Sequence, residues 1–237
     1  MSEVSIREKY SLRPSSTAME KMKNLLSGIH GISMDEVIEL VASDESLGIR
    51  AWKIAFPHKS VDDFNPDEIG AAVGRIGVNV VVMLALGHIL NTVVQNTFNT
   101  MAGLDVVAAN PNHCPKLKDK YLTGCVQFRG KANGGIYVLF DNKLVKDFLT
   151  SLFGESTGDG PTFDLLFDSV GELVNIFAGN LQSNLCDVDL DCKLQTPVVG
   201  VMEVDKLKCP SGFYHEPFTF LHNGSICWVH LYVRSWK

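Results

Sequence analysis

The sequence predicts an α+β chain, helical at first and then a mixture of helices and antiparallel strands. Three observations predict it. Helix-start signals follow one another up to about Gly77, the apolar period turns strand-like beyond Gly103, and one long apolar helix in the second half is broken at regular intervals by polar and small residues.

In the first part helices are expected near 17–27, 34–42, 45–55 and 66–76. Ser33 followed by Glu36 has the pattern of a capping box, as does Asn65 followed by Pro66 in the first helical position and Glu68 in the third. Val78 to Met101 reads as one further helix that closes this region and opens the next, so we divide the chain at residues 1–80 and 81–237. No Gly/Ser linker separates the two, which predicts rigid packing rather than a tether. The apolar run Val78 to Leu90 contains Asn79, Gly87 and His88 and by itself is too short to span a bilayer, so a buried helix is expected and no membrane.

Beyond Gly103, Leu122 to Phe128 and Ile136 to Phe140 are β-rich runs joined by a glycine-rich turn. Lys143 to Phe153 is expected as a helix, Thr162 to Leu185 as the long interrupted helix and Thr196 to Val201 as a strand. Phe218 to Leu221 is then paired with Ile226 to Trp236, the final strand, one face buried and the other mixed, lying exposed.

Within the long helix Asp168, Glu172, Asn175 and Gly179 are spaced by four, three and four residues and form one narrow stripe. Leu166, Val170, Leu173, Phe177 and Leu181 lie around the other side, giving a face to bury. Glycines 171 and 179 each cost the helix roughly 1 kcal/mol relative to alanine, which suggests a close approach to its backbone. Spacing alone also fits an ordinary amphipathic helix with a solvated polar face.

Asp-x3-Glu-x2-Asn on an apolar helix, with Pro197 some way downstream, resembles the signature of the CheC/CheX/FliY phosphatases, which act on phosphorylated chemotaxis response regulators. The flanking text is similar to the CheX branch from about residue 83 onward: Ala132 to Phe140, Leu144 to Phe153, Gly171 to Asn180 and Leu194 to Gly200, in that order. The stretch Asp35 to Ala55 with Asp67 to Gly77 resembles the first half of an HDOD domain, a helical signalling scaffold. The match is truncated, and the chain has no adjacent His-Asp pair with which to bind a hydrolase metal. The resemblance thus implies a CheX-like domain of mixed helices and antiparallel sheet behind an all-α HDOD-like segment.

It also implies the chemistry: hydrolysis of the aspartyl-phosphate of a CheY-type receiver by in-line attack of water, with Mg2+ and a lysine supplied by the receiver and no cofactor or metal bound by this chain. An asparagine amide both donates and accepts, so Asn175 is assigned to orient the water and Glu172 to pair with the receiver's lysine. Asp168, Gly171 and Gly179 are assigned to partner contact. A non-catalytic receiver-binding or scaffold protein is the alternative. The CheX branch resemblance further implies a homodimer through the sheet. Asn96 to Gly103 weakly echoes Val174 to Gly179, but Gln95 and Phe98 stand where Glu and Asn would be needed, so one active site per chain is expected.

Other constellations carry less. Gly154 to Gly158 matches Gly-x-Ser-x-Gly but follows a helix rather than a strand, so Ser156 is not expected to be a nucleophile. His113, Cys114, Cys186, Cys192 and Cys209 lack the Cys-x2-Cys spacing of a zinc site, and His215-Glu216 lacks a second histidine. Cys125 and Cys227 read as core residues. The net charge of −6 argues against a nucleic-acid partner, and 46% hydrophobic with 20% charged residues is ordinary for a globular protein. The first residues carry no signal-peptide core, so a cytoplasmic protein with reduced cysteines is expected.

Overall fold

Each expected helix of the first part forms, for reasons that can be named. In the computed structural model, which describes residues 15–27, 33–77, 79–109, 120–154, 161–187, 190–203, 207 and 210–234, the chain separates into two compact units, 1–88 with 235–237 and 89–234. The first unit contains α1 (Ser16–Ser27), α2 (Met34–Ala42), α3 (Glu45–Ala55) and α4 (Ile69–Ile76). The division falls within α5 (Asn79–Ala102).

The Ser33 box is complete: the Glu36 N–H donates to Ser33 Oγ at 3.2 Å and the Ser33 N–H to Glu36 Oε2 at 2.8 Å. The second box is half made. Asn65 Oδ1 accepts from the Asp67 N–H, but Pro66–Glu68 is a single 3-10 turn and the α-helix starts only at Ile69. Glu68 is committed elsewhere: it accepts from Trp52 Nε1 at 2.6 Å and pairs with Lys59 at 3.1 Å. Trp52 is fully buried, and a buried indole N–H needs an acceptor. Gly48 lets α3 and α4 close together, since a Cβ there would stand 3.1 Å from Ile69 Cδ1.

α5 corrects the length argument. It runs for 24 residues, long and apolar enough by those criteria to cross a membrane, and 61% of its most apolar window is buried within the protein, as in a core helix.

The second unit is one antiparallel sheet with β1 (Val107–Ala109), β2 (Tyr121–Gly130), β3 (Gly134–Phe140), β4 (Cys192–Leu194), β5 (Val198–Met202), β6 (Phe213–His222) and β7 (Ser225–Arg234), together with α6 (Asn142–Phe153) and α7 (Phe163–Cys186). The order is β1-β6-β7-β3-β2, with β4 and β5 both pairing with β2. The final strand is therefore not exposed: β7 lies between β3 and β6, and all but His230 and Arg234 are buried along it. Apolar residues on both faces of a strand are the mark of an interior position. β6 begins at Phe213, five residues before the expected start, and β1 and β4 were not anticipated.

Even-numbered residues of β2 and β3 face α7. Their core is aromatic: Phe98 of α5 meets Phe140, Phe148 and Phe177 at centroid distances of 6.4, 5.7 and 6.2 Å. On the other face Tyr121, Leu139, Ile226 and Trp228 form a second cluster, flanked by Leu207 and Leu221. Cys227 is fully buried and Cys125 half-buried, in keeping with core roles.

Candidate functional site

α7 is capped by Thr162, whose Oγ1 accepts from the Leu165 N–H at 3.3 Å, and Asp164 in the first turn suits the positive end of the helix. Its inner side is the one expected. Leu166, Val170, Leu173, Phe177 and Leu181 are each no more than 5% exposed. Gly124 of β2 brings that side to the sheet: a Cβ at 124 would stand 2.6 Å from Val174 Cγ2 and 3.2 Å from Val170 Cγ1. At the far end Gln182 Nε2 donates to the Cys192 carbonyl at 2.6 Å, fixing the last turns to β4.

A helix held so firmly on one side presents a defined outer face. Asp168, Glu172 and Asn175 are all exposed on it. Other polar side chains along the helix bond back to its own backbone. Ser169, Asn180, Ser183 and Asn184 each donate to a carbonyl four residues earlier, at 2.7, 2.9, 3.1 and 2.8 Å. Among the described residues Asp168, Glu172 and Asn175 make no side-chain hydrogen bond or ion pair. A carboxylate and an amide one turn apart, solvated and unengaged, can bond to an incoming partner without first breaking anything.

The two glycines differ. A Cβ at Gly171 would come 3.3 Å from Val199 Cγ2, so its smallness already serves the packing of α7 on β5. Gly179 has nothing within 4 Å of such a Cβ. The fold itself does not account for the helix-weakening residue at 179. Apolar side chains are exposed at the start of the helix and on β5: Phe163 meets Phe167 in a tilted pair at 5.0 Å, and Phe163, Leu165 and Val201 are 61%, 40% and 47% exposed. Sequence reading missed these, because apolar residues at a helix start, as Phe163 and Leu165, or on a strand, as Val201, read as core.

The echo in α5 resolves differently. Phe98 is fully buried in the aromatic core and Gln95 Nε2 donates to Asn91 Oδ1 at 2.7 Å. The outward positions are Asn96 and Asn99, both exposed, an amide pair without a carboxylate. Ser156, His113, Cys114 and Cys209 lie outside the described residues. Cys186 is exposed, Cys192 is buried with its thiol pushed up to about 11 by burial, and His215 stacks on His230 and Tyr232 rather than facing an open site. Among the described residues no group of three or more His, Cys, Asp or Glu is placed to hold a metal.

An antiparallel sheet backed on one face by helices, one of which displays an unengaged carboxylate and amide, defines an α+β domain with a polar outer helix face. Residues 122–215 match the family model described as Chemotaxis phosphatase CheX. Solved structures agree on the fold. The chemotaxis protein CheX of Vibrio vulnificus superposes with a TM-score of 0.53 at 19% identity, over 62% of this chain and 94% of that one. A CheC-like superfamily protein from Shewanella sp. PV-4 gives 0.53 at 18% identity, over 63% and 97%. A CheX from Desulfovibrio desulfuricans gives 0.52 at 19%, over 63% and 99%. No curated protein is a significant match to the sequence.

Proposed function

We propose that this protein is a CheX-type phosphatase that hydrolyses the aspartyl-phosphate of a CheY-type response regulator. The observation that carries it is the outer face of α7, where Glu172 and Asn175 are exposed and unbonded within the helix that the CheX family model spans. The receiver brings Mg2+ and a lysine to its own phosphate, and what it lacks is a water held in line with the phosphorus. Asn175, with a donor and an acceptor on a short stem, enters the receiver's site and holds that water. Glu172 pairs with the receiver's lysine and fixes the helix over the site. Asp168 contributes to docking, and bare backbone at Gly179 allows the receiver to approach. Gly171, assigned the same role from sequence, sits against Val199 and contributes through the packing of α7. The chain supplies no metal or cofactor in this scheme.

In the same reading the protein acts in the cytoplasm, the helical first unit is an HDOD-like adaptor, and a homodimer forms through the sheet. Sedimentation tests the last point.

The deciding experiment is the decay of a radiolabelled phospho-receiver with wild type, Glu172→Ala and Asn175→Ala. Wild type should speed decay and both variants should lose the effect. Unchanged decay for every receiver of the same genome would reduce α7 to a docking surface and favour the scaffold alternative.

A further inference from the structure

The sheet has a second face. Odd-numbered residues of β2 and β3 point away from α7, and toward the β2–β3 turn they line a cavity of about 410 Å3. Its floor is Gly135, which is paired with Gln127 on one side and Tyr232 on the other. A Cβ at 135 would stand 3.1 Å from the Val126 carbonyl and 3.7 Å from Gln127 Cγ, so the floor is open because that residue has no side chain. Aromatic rings contribute to the walls: Tyr137 and Tyr232 meet edge to face at 5.4 Å, and Phe213, paired with Arg234, also lines the cavity.

The lining is also basic. Arg129 and Arg234 both contribute, and among the described residues no Asp or Glu lines the cavity. Arg129 is tethered only weakly, through a 3.4 Å bond from Nη2 to Gln127 Oε1, which leaves most of its donors free, and neither guanidinium pairs with a described carboxylate. Two unpaired arginines converging on one cavity are unexpected in a chain of net charge −6. Guanidinium groups match the oxygens of a phosphate, and aromatic walls match a planar ring. The volume is near the lower end of ligand sites, which run from about 300 to 1,000 Å3, and fits one ring with one phosphate.

We propose that this cavity binds a small organic anion of the nucleoside monophosphate class, its phosphate held by Arg129 and Arg234 and its ring against Tyr137 and Phe213. The site is separate from α7 and does not depend on the phosphatase reading.

The test is calorimetric titration of the full chain with AMP, GMP, adenosine and inorganic phosphate. At least one of the two nucleotides should saturate with a Kd below about 1 mM. Adenosine and phosphate, each with half of the recognised groups, should bind at least about tenfold more weakly than AMP or GMP. The double variant Arg129→Gln/Arg234→Gln, both at exposed positions, should lose at least about tenfold for the nucleotide at unchanged melting temperature. Tyr137→Leu should weaken the nucleotide but not phosphate. Failure of both nucleotides to saturate, phosphate binding as tightly as the nucleotide, or undiminished binding by the arginine variant would overturn the proposal.

Discussion

The second unit contains two long helical faces with related sequence and opposite fates. On α7 the polar pair Glu172 and Asn175 faces outward, exposed and unbonded; on α5 the aligned positions hold Gln95, tied to Asn91, and Phe98, fully buried among three other phenylalanines. The difference teaches that an apolar helix with a polar stripe has no function by pattern alone. What separates the two is which side the core claims: Phe98 anchors α5, whereas Gly124 and the row from Leu166 to Leu181 anchor α7 and leave its stripe outside.

The comparison can be pressed with single substitutions. The largest effect is expected for Asn175→Ala, which should lower receiver dephosphorylation by about 10²-fold or more by removing the group that orients water, with stability within about 0.5 kcal/mol of wild type. Phe98→Ala should do the reverse in kind, costing about 3–5 kcal/mol in urea denaturation through the cavity it leaves. If Asn99→Ala on the outward side of α5 slowed turnover as Asn175→Ala does, the claim of one site per chain would be wrong.

Smaller effects should distinguish the glycines. Gly124→Ala should destabilise by about 1–3 kcal/mol, because the new methyl meets the β-branched side chains of Val174 and Val170 on the packed side of α7. Gly179→Ala should stabilise by up to about 1 kcal/mol, since nothing lies within 4 Å. A loss of activity in that more stable variant would show that the receiver reaches the backbone there.

Acid should act on the sheet. Burial lowers His215 to about 4 and His230 to about 3, the latter helped by its neighbour, against an ordinary value near 6.5. The unfolded chain binds protons that the fold does not, so stability present above about pH 6.5 is lost as the pH falls toward 4. Urea midpoints measured across that range should drop for wild type and drop less for His215→Gln/His230→Gln.

Much of this was legible in the sequence because it is written locally. The Ser33 box, the register of α7 and the turn between β2 and β3 each depend on residues close together in the chain. What was not legible depends on distant partners. β1 and β4 are three residues each and exist only because β6 and β2 offer them edges. Pro217 hid the start of β6, yet β1 pairs only with Thr219 to Leu221, so the proline lies where β6 has no described neighbour on that side and loses no ladder bond. Glu68 has the spacing of a cap, but it is claimed by an indole sixteen residues away. At the site, Glu172 and Asn175 could be singled out from spacing and resemblance, whereas the separate uses of Gly171 and Gly179 required knowing what lies opposite each.

Gly124 bears on how such a chain can change over generations. One hydrogen atom in place of a methyl group sets how deeply α7 sits on the sheet, and the residues that enforce this are all on its inner side. The exposed positions around Glu172 and Asn175 therefore carry no packing duty, so under the proposed function recognition of one receiver can drift toward another while those two side chains and the frame that aims them are inherited unchanged.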